Sequence, residues 1–272
     1  MNALPFFQDT IPGMPRNKTQ PRPDWRAILT FYLLACAFQW PFFWWRDVNT
    51  ASWNASRIPT EIRDLTWGPA VAAFLVLYLF PRARTGTITF FGTSRARSLC
   101  CFLIPILFSW IGVAIQSGRI SYKLIYYLLV GGVSIFGEEM GWRGFLQGAL
   151  RPLGRVRGYL LLAFMWEAWH FTSHTKGTLH QVIERLAIYV PLVIVITFLL
   201  GFLTERTGSV LLATTFHEWM DILADPAGSG GLFWSGLACI PVWIWLVWTW
   251  PKRKPASAED PTTWQTAAAT AQ

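Results

Sequence analysis

Eight apolar runs follow one another along this chain, at 26–45, 65–81, 98–117, 123–148, 158–173, 186–204, 208–224 and 232–250. Most are close to the roughly 20 residues that an α-helix needs to cross a bilayer core about 30 Å thick. The expected fold is therefore all-α: a polytopic membrane helix bundle of about eight transmembrane helices. Composition agrees, because 53% of residues are hydrophobic and only 14% charged, where a soluble domain carries about a quarter charged. The fifth and seventh runs are short, as expected of segments that line a wet cavity instead of meeting lipid along their whole length.

Basic residues assign the sidedness. With the N-terminus inside, 15 Lys and Arg fall in inner connections (positions 16, 18, 22, 26, 82, 84, 95, 97, 151, 155, 157, 206 and 252–254) and 7 in outer ones (46, 57, 63, 119, 123, 176 and 185). That asymmetry predicts a multi-pass protein, in a cell membrane, with both termini cytoplasmic. The formal charge of +8 does not point to nucleic acid: 17 Trp are spread through apolar runs and no Lys/Arg cluster is sustained. Residues 1–25, interrupted by five prolines, and the tail 251–272 are expected to be disordered cytoplasmic segments flanking one membrane domain at 26–250. No cleaved signal pattern is evident, so the first span is expected to serve for targeting. Cys36, Cys100, Cys101 and Cys239 lie in apolar runs and read as packing residues, not as disulfides or metal ligands.

Three of the runs carry ionisable residues well inside their apolar stretch. The fourth ends in Glu138 and Glu139 with Arg143 one turn on; the fifth holds Glu167 and His170; the seventh holds His217, Glu218 and Asp221. An ionisable side chain inside a span costs roughly 2.5 to 3.5 kcal/mol on insertion scales, and such groups normally face a protein interior and serve a function. On a helix Arg143 shares a face with Glu139, and Asp221 with His217. From the expected span ends, Glu138 lies roughly 22 Å below the outer end of its helix, and His170 and His217 about 18 and 14 Å above the inner ends of theirs. These levels overlap to within a turn or two and predict one buried site open to the cytoplasmic side.

Adjacent carboxylates in a low-dielectric site cannot both ionise cheaply, so one should hold its proton or borrow compensation from Arg143. A carboxylate so tuned is a usable general base, and with His170 it would activate a water. Asp221 would orient His217, or His217 would donate to a developing oxyanion. The reaction class is hydrolysis of a carbonyl compound, most naturally a peptide bond.

These residues resemble the motifs of the CPBP (CAAX protease and bacteriocin-processing, or Abi) family of intramembrane proteases. EExxxR stands as Glu138, Glu139 and Arg143; FxxxH as Trp166 and His170, with Trp in place of Phe; HxxxN/D as His217 and Asp221. The resemblance covers about residues 100–225. It implies a membrane endopeptidase, with CAAX-type processing as one form of that activity, in which Glu138 is the general base assisted by His170. His217 and Asp221 would then form the oxyanion side, and Glu139 and Arg143 would shape the site.

No cofactor is expected on the favoured reading. Zn²⁺ is the alternative, held by His170, His217 and one glutamate, although HEWMD has Asp where HExxH needs its second His. Glu167 and Glu218 read as secondary polar contacts, and His174 and His180 as solvated loop residues. The arginines at 151, 155 and 157 read as topology signals. Expected partners are the lipid bilayer and a peptide or protein substrate, with no nucleic acid and no obligate protein partner. Two other classes compete: a non-catalytic membrane immunity or assembly partner, and a proton-coupled transporter using the buried carboxylates as a relay.

Overall fold

The computed structural model of the chain describes residues 22–49, 66–83, 88–119, 122–171, 177–224 and 230–251. The expectations for most of the N-terminal segment and C-terminal tail, for much of the first outer loop and for His174 lie outside those residues.

Eight helices are described: α1 (Trp25–Asn49), α2 (Gly68–Leu79), α3 (Arg95–Ser117), α4 (Tyr122–Gly141), α5 (Arg155–Trp169), α6 (Leu179–Thr207), α7 (Val210–Ala224) and α8 (Gly230–Trp248). Each falls on one of the eight apolar runs. Three contain a stretch long and apolar enough to cross a membrane, Trp25–Phe43, Arg95–Ser117 and Leu179–Thr207, with Gly68–Leu79 and Phe233–Trp248 as shorter apolar helices. This is an all-helical membrane bundle. Among the described residues, extended pairing is limited to a single bridge between Thr89 and Ser209.

Local chemistry sets the helix ends. Ser94 accepts a hydrogen bond from the Arg97 amide to cap α3, which stops at Gly118 in the left-handed conformation. Thr178 and Gln181 form a reciprocal capping box at the start of α6, and Gly208 closes it at φ 70°. α4 does not end at Gly141: a π turn, Trp142–Leu146, and one further α-turn, Gln147–Leu150, continue it. Residues 141–150 are buried throughout except the half-buried Gly144, so this stretch is enclosed on all sides and not along one helical stripe.

α4 and α7 occupy the centre. α2 packs on α1 and on α4, α4 on α7, and α7 also on α3 and α6; α5 lies on α6 and α8 on α3. Trp142, Trp166 and Trp169 anchor one apolar core with residues of α1, α2 and α6, and Trp219, Trp243 and Trp250 anchor a second with Cys101 and Leu212. All four cysteines are free, Cys100 exposed and the others buried.

The closest backbone approach beside the polar centre is at Gly141. A Cβ there would sit 2.4 Å from the Pro69 Cβ and 2.6 Å from the Pro69 carbonyl oxygen. Gly141→Ala is therefore expected to push α2 off α4 and cost about 1–3 kcal/mol, the usual range for overpacking, read as a lower midpoint of thermal unfolding in detergent.

Candidate active site

The two adjacent glutamates at the end of α4 have different surroundings. Glu139 is fully buried, and its Oε1 accepts from Arg143 Nη1 at 2.7 Å and from His217 Nδ1 at 2.9 Å. One carboxylate oxygen thus ties α4 to α7. Because a carboxylate only accepts, Nδ1 of His217 carries the proton, and its Nε2 is turned toward Asp221 Oδ2 at 3.9 Å. Glu138, one residue earlier and rotated by about 100° around the helix, is also buried but receives instead the indole N–H of Trp166 on its Oε2 at 3.3 Å.

Trp166 is the hub. Besides that hydrogen bond, its ring lies 4.3 Å from the Arg143 guanidinium carbon and 5.0 Å, edge to face, from the His217 ring. Its backbone carbonyl accepts from Nδ1 of His170 at 3.0 Å. A carbonyl cannot donate, so that contact fixes the tautomer of His170 with its acceptor nitrogen at Nε2.

The fifth run was expected to stay helical to residue 173, with His170 inside the span. Instead α5 ends at Trp169 and His170 is its C-cap. The last turn tightens there: the His170 N–H is shared between the Trp166 and Glu167 carbonyls at 3.3 and 3.0 Å, and the imidazole adds a second bond to the Trp166 carbonyl. The end of α5 is further held by α1, since Trp40 Nε1 donates to the Trp169 carbonyl and Trp169 Nε1 to the Ala35 carbonyl.

The structure thus gathers Glu138, Glu139, Arg143, His170 and His217 around one indole. Asp221 stands apart: its side chain is 63% exposed and only reaches the rim of His217. Glu218 is buried against α4, where a Cβ on Gly132 would come within 3.0 Å of its Oε2. Glu167 is buried as well. His180 is exposed and pairs with Glu184 across one helical turn at 3.2 Å, away from the centre.

Two participants were not legible beforehand. Trp166 read as a neutral replacement for Phe, yet its N–H is the contact to Glu138. Thr66, just ahead of α2, is a polar neighbour of Glu138 and bonds to the Ser134 hydroxyl and carbonyl at 2.9 and 3.1 Å. Nothing in the sequence near Thr66 marks it.

Among the described residues no three His, Cys, Asp or Glu side chains are grouped so as to hold a metal ion. His217 Nδ1 is engaged by Glu139 and His170 Nδ1 by a carbonyl. These bonds leave Nε2 as the second nitrogen of each ring, the arrangement in which a metal-binding histidine is also held.

Fold and site together define a polytopic helical membrane protein with a polar centre assembled from three helices. Residues 120–223, which contain all three motifs, match the family described as Type II CAAX prenyl endopeptidase Rce1-like. The match is consistent with the CPBP family, indicates a protease, and supports intramembrane protease activity in general terms. Comparison with curated proteins and with solved structures found no match.

Proposed function

We propose that this chain is an intramembrane endopeptidase that cleaves a peptide bond near the cytoplasmic membrane face with a glutamate-activated water. The observation that carries the reading is the division of labour between the paired carboxylates. Glu139 Oε1 is shared by two basic side chains in a fully buried position, which suits a fixed electrostatic brace. Glu138 has neutral neighbours instead, the Trp166 indole that donates to its Oε2 and the Thr66 hydroxyl, which orient the carboxylate and leave it able to take a proton.

In this mechanism Glu138 removes a proton from water while His170 Nε2 helps to position that water. The resulting hydroxide adds to the carbonyl carbon, and the oxyanion that develops is met by Nε2 of His217 carrying its own proton. With His217 as imidazolium, two cations and two carboxylates balance in the centre, and Glu139 holds the ring by its other nitrogen. Collapse of the tetrahedral intermediate breaks the C–N bond, and Glu138 returns its proton to the leaving nitrogen. The exposed Asp221 is placed to hold His217 in its charged form rather than to bind the oxyanion. A prenylated CAAX tail is one substrate class that the family match suggests.

The test compares membrane and secreted peptides between cells carrying the native chain and cells carrying Glu138→Gln. A precursor that persists only with the variant identifies the substrate. Identical peptide profiles, with the variant present at native abundance, would favour a non-catalytic membrane partner.

Trp166→Phe separates orientation from packing. Phe keeps an aromatic ring beside Arg143 and His217 but cannot donate to Glu138. The expected result is a drop in kcat of about tenfold, the scale of one hydrogen bond, with KM and the unfolding midpoint near native. An unchanged kcat would mean that the indole N–H does not orient the base.

A further inference from the structure

A second polar feature lies outside the catalytic proposal. Where α4 finishes, α5 begins and α6 ends, the helices leave a cavity of about 370 Å³. Its lining includes Gln147, Arg151, Arg155, Phe202, Glu205 and Arg206. Three cations thus face one acid among the lining residues. Arg155 is matched with Glu205 at 2.8 Å, while Arg206 donates to the uncharged carbonyls of Trp248 and Trp250, contacts that leave its charge uncompensated. The cavity therefore keeps a net positive charge from Arg151 and Arg206, and suits an anion.

Two further observations narrow that anion. Gln147 is only 6% exposed; its Nε2 donates to the Gly201 carbonyl, and its buried Oε1 has no partner. A buried acceptor left in this state costs free energy, and beside a cationic cavity it calls for a ligand that carries a hydroxyl as well as a negative group. Next, Phe202 opens the cavity toward lipid. It is exposed, and so are Leu199, Val195, Leu192 and Ile188 behind it on the same stripe of α6, which reaches Arg206 one turn beyond Phe202. An apolar track that ends at an arginine has the chemistry of an acyl chain leading to its phosphate. Basic pockets between membrane helices are known to take anionic lipid headgroups.

We propose that this cavity seats the phosphodiester headgroup of an anionic phospholipid, with Arg151 and Arg206 on the phosphate, Gln147 Oε1 on a headgroup hydroxyl and an acyl chain along the Phe202 stripe. Arg151, which first read as a topology signal, is then a ligand as well. Bound lipid would clamp the ends of α4, α5 and α6 together, stabilising the folded chain by mass action.

The full chain, purified in detergent, is titrated with phosphatidylglycerol, with phosphatidylcholine of the same acyl chains, with phosphatidic acid and with inorganic phosphate, following the unfolding midpoint. Phosphatidylglycerol should raise the midpoint at concentrations where phosphatidylcholine and inorganic phosphate do not. Phosphatidic acid, which lacks the headgroup hydroxyl, should bind more weakly. Arg151→Gln, at an exposed position, should weaken phosphatidylglycerol about tenfold, as for one charge-assisted hydrogen bond, and Arg151→Lys should weaken it less. Equal stabilisation by phosphatidylcholine overturns the proposal, as does native affinity in Arg151→Gln. Inorganic phosphate matching phosphatidylglycerol overturns the lipid assignment and leaves a simple anion site.

Discussion

Glu138→Gln is expected to lower kcat by about a hundred- to ten-thousand-fold, the usual contribution of a general base, while the chain folds and accumulates as the native protein does. The side chain keeps its size. An amide oxygen still accepts from the Trp166 indole, and a buried negative charge is removed without stranding a cation bonded to it. Stability should therefore hold while proton abstraction is lost. Glu139→Gln behaves differently, because it takes the anion from between Arg143 and His217. It should lose stability and activity together. Cleavage of the identified substrate in proteoliposomes, measured beside thermal unfolding, distinguishes the two variants. Full activity in Glu138→Gln, or a loss confined to kcat in Glu139→Gln, would reverse the roles assigned to the pair.

Helix number and order were legible because lipid requires long apolar runs, and each of the eight runs holds a helix. The convergence of three polar stations was legible for the same reason: a charge in such a run needs a protein interior. What each charge does there was not. Glu138 and Glu139 are indistinguishable as neighbours in a sequence, and only the rotation between adjacent helical residues sends one to Arg143 and His217 and the other to Trp166. The spacing of His217 and Asp221 correctly put them on one face, but spacing carries no information on depth, and Asp221 lies at an exposed end of that face. The π turn after Gly141 has no periodic signature in five residues. Nor did the apolar pattern show where α5 stops, because the end is marked by the His170 amide tightening onto the Glu167 carbonyl, which hydrophobic spacing does not encode. The cavity around Arg151 was invisible for a related reason: it is assembled from three helix ends that meet only in the folded chain.

The largest effect on stability should come from Arg143. Arg143→Met leaves Glu139 fully buried with His217 as its one remaining basic partner, and breaking a buried ion pair from one side costs about 3–5 kcal/mol. The pair is not well satisfied even in the native chain: Glu139 Oε2 and the Nε and Nη2 of Arg143 are buried without partners. An arrangement that leaves three polar atoms unpaired pays a large desolvation cost, so its net contribution to stability should be small although the loss of either half is severe. The double variant Glu139→Gln/Arg143→Met tests this directly. It should unfold close to the native midpoint, far above either single variant, because no stranded charge remains between α4 and α7. It should nevertheless be inactive, since His217 then lacks the carboxylate that holds its ring and supports its positive form. A double variant that loses as much stability as the two singles combined would show that the pair is a structural fastening, and would remove the reason for assigning Glu139 an electrostatic part in the reaction.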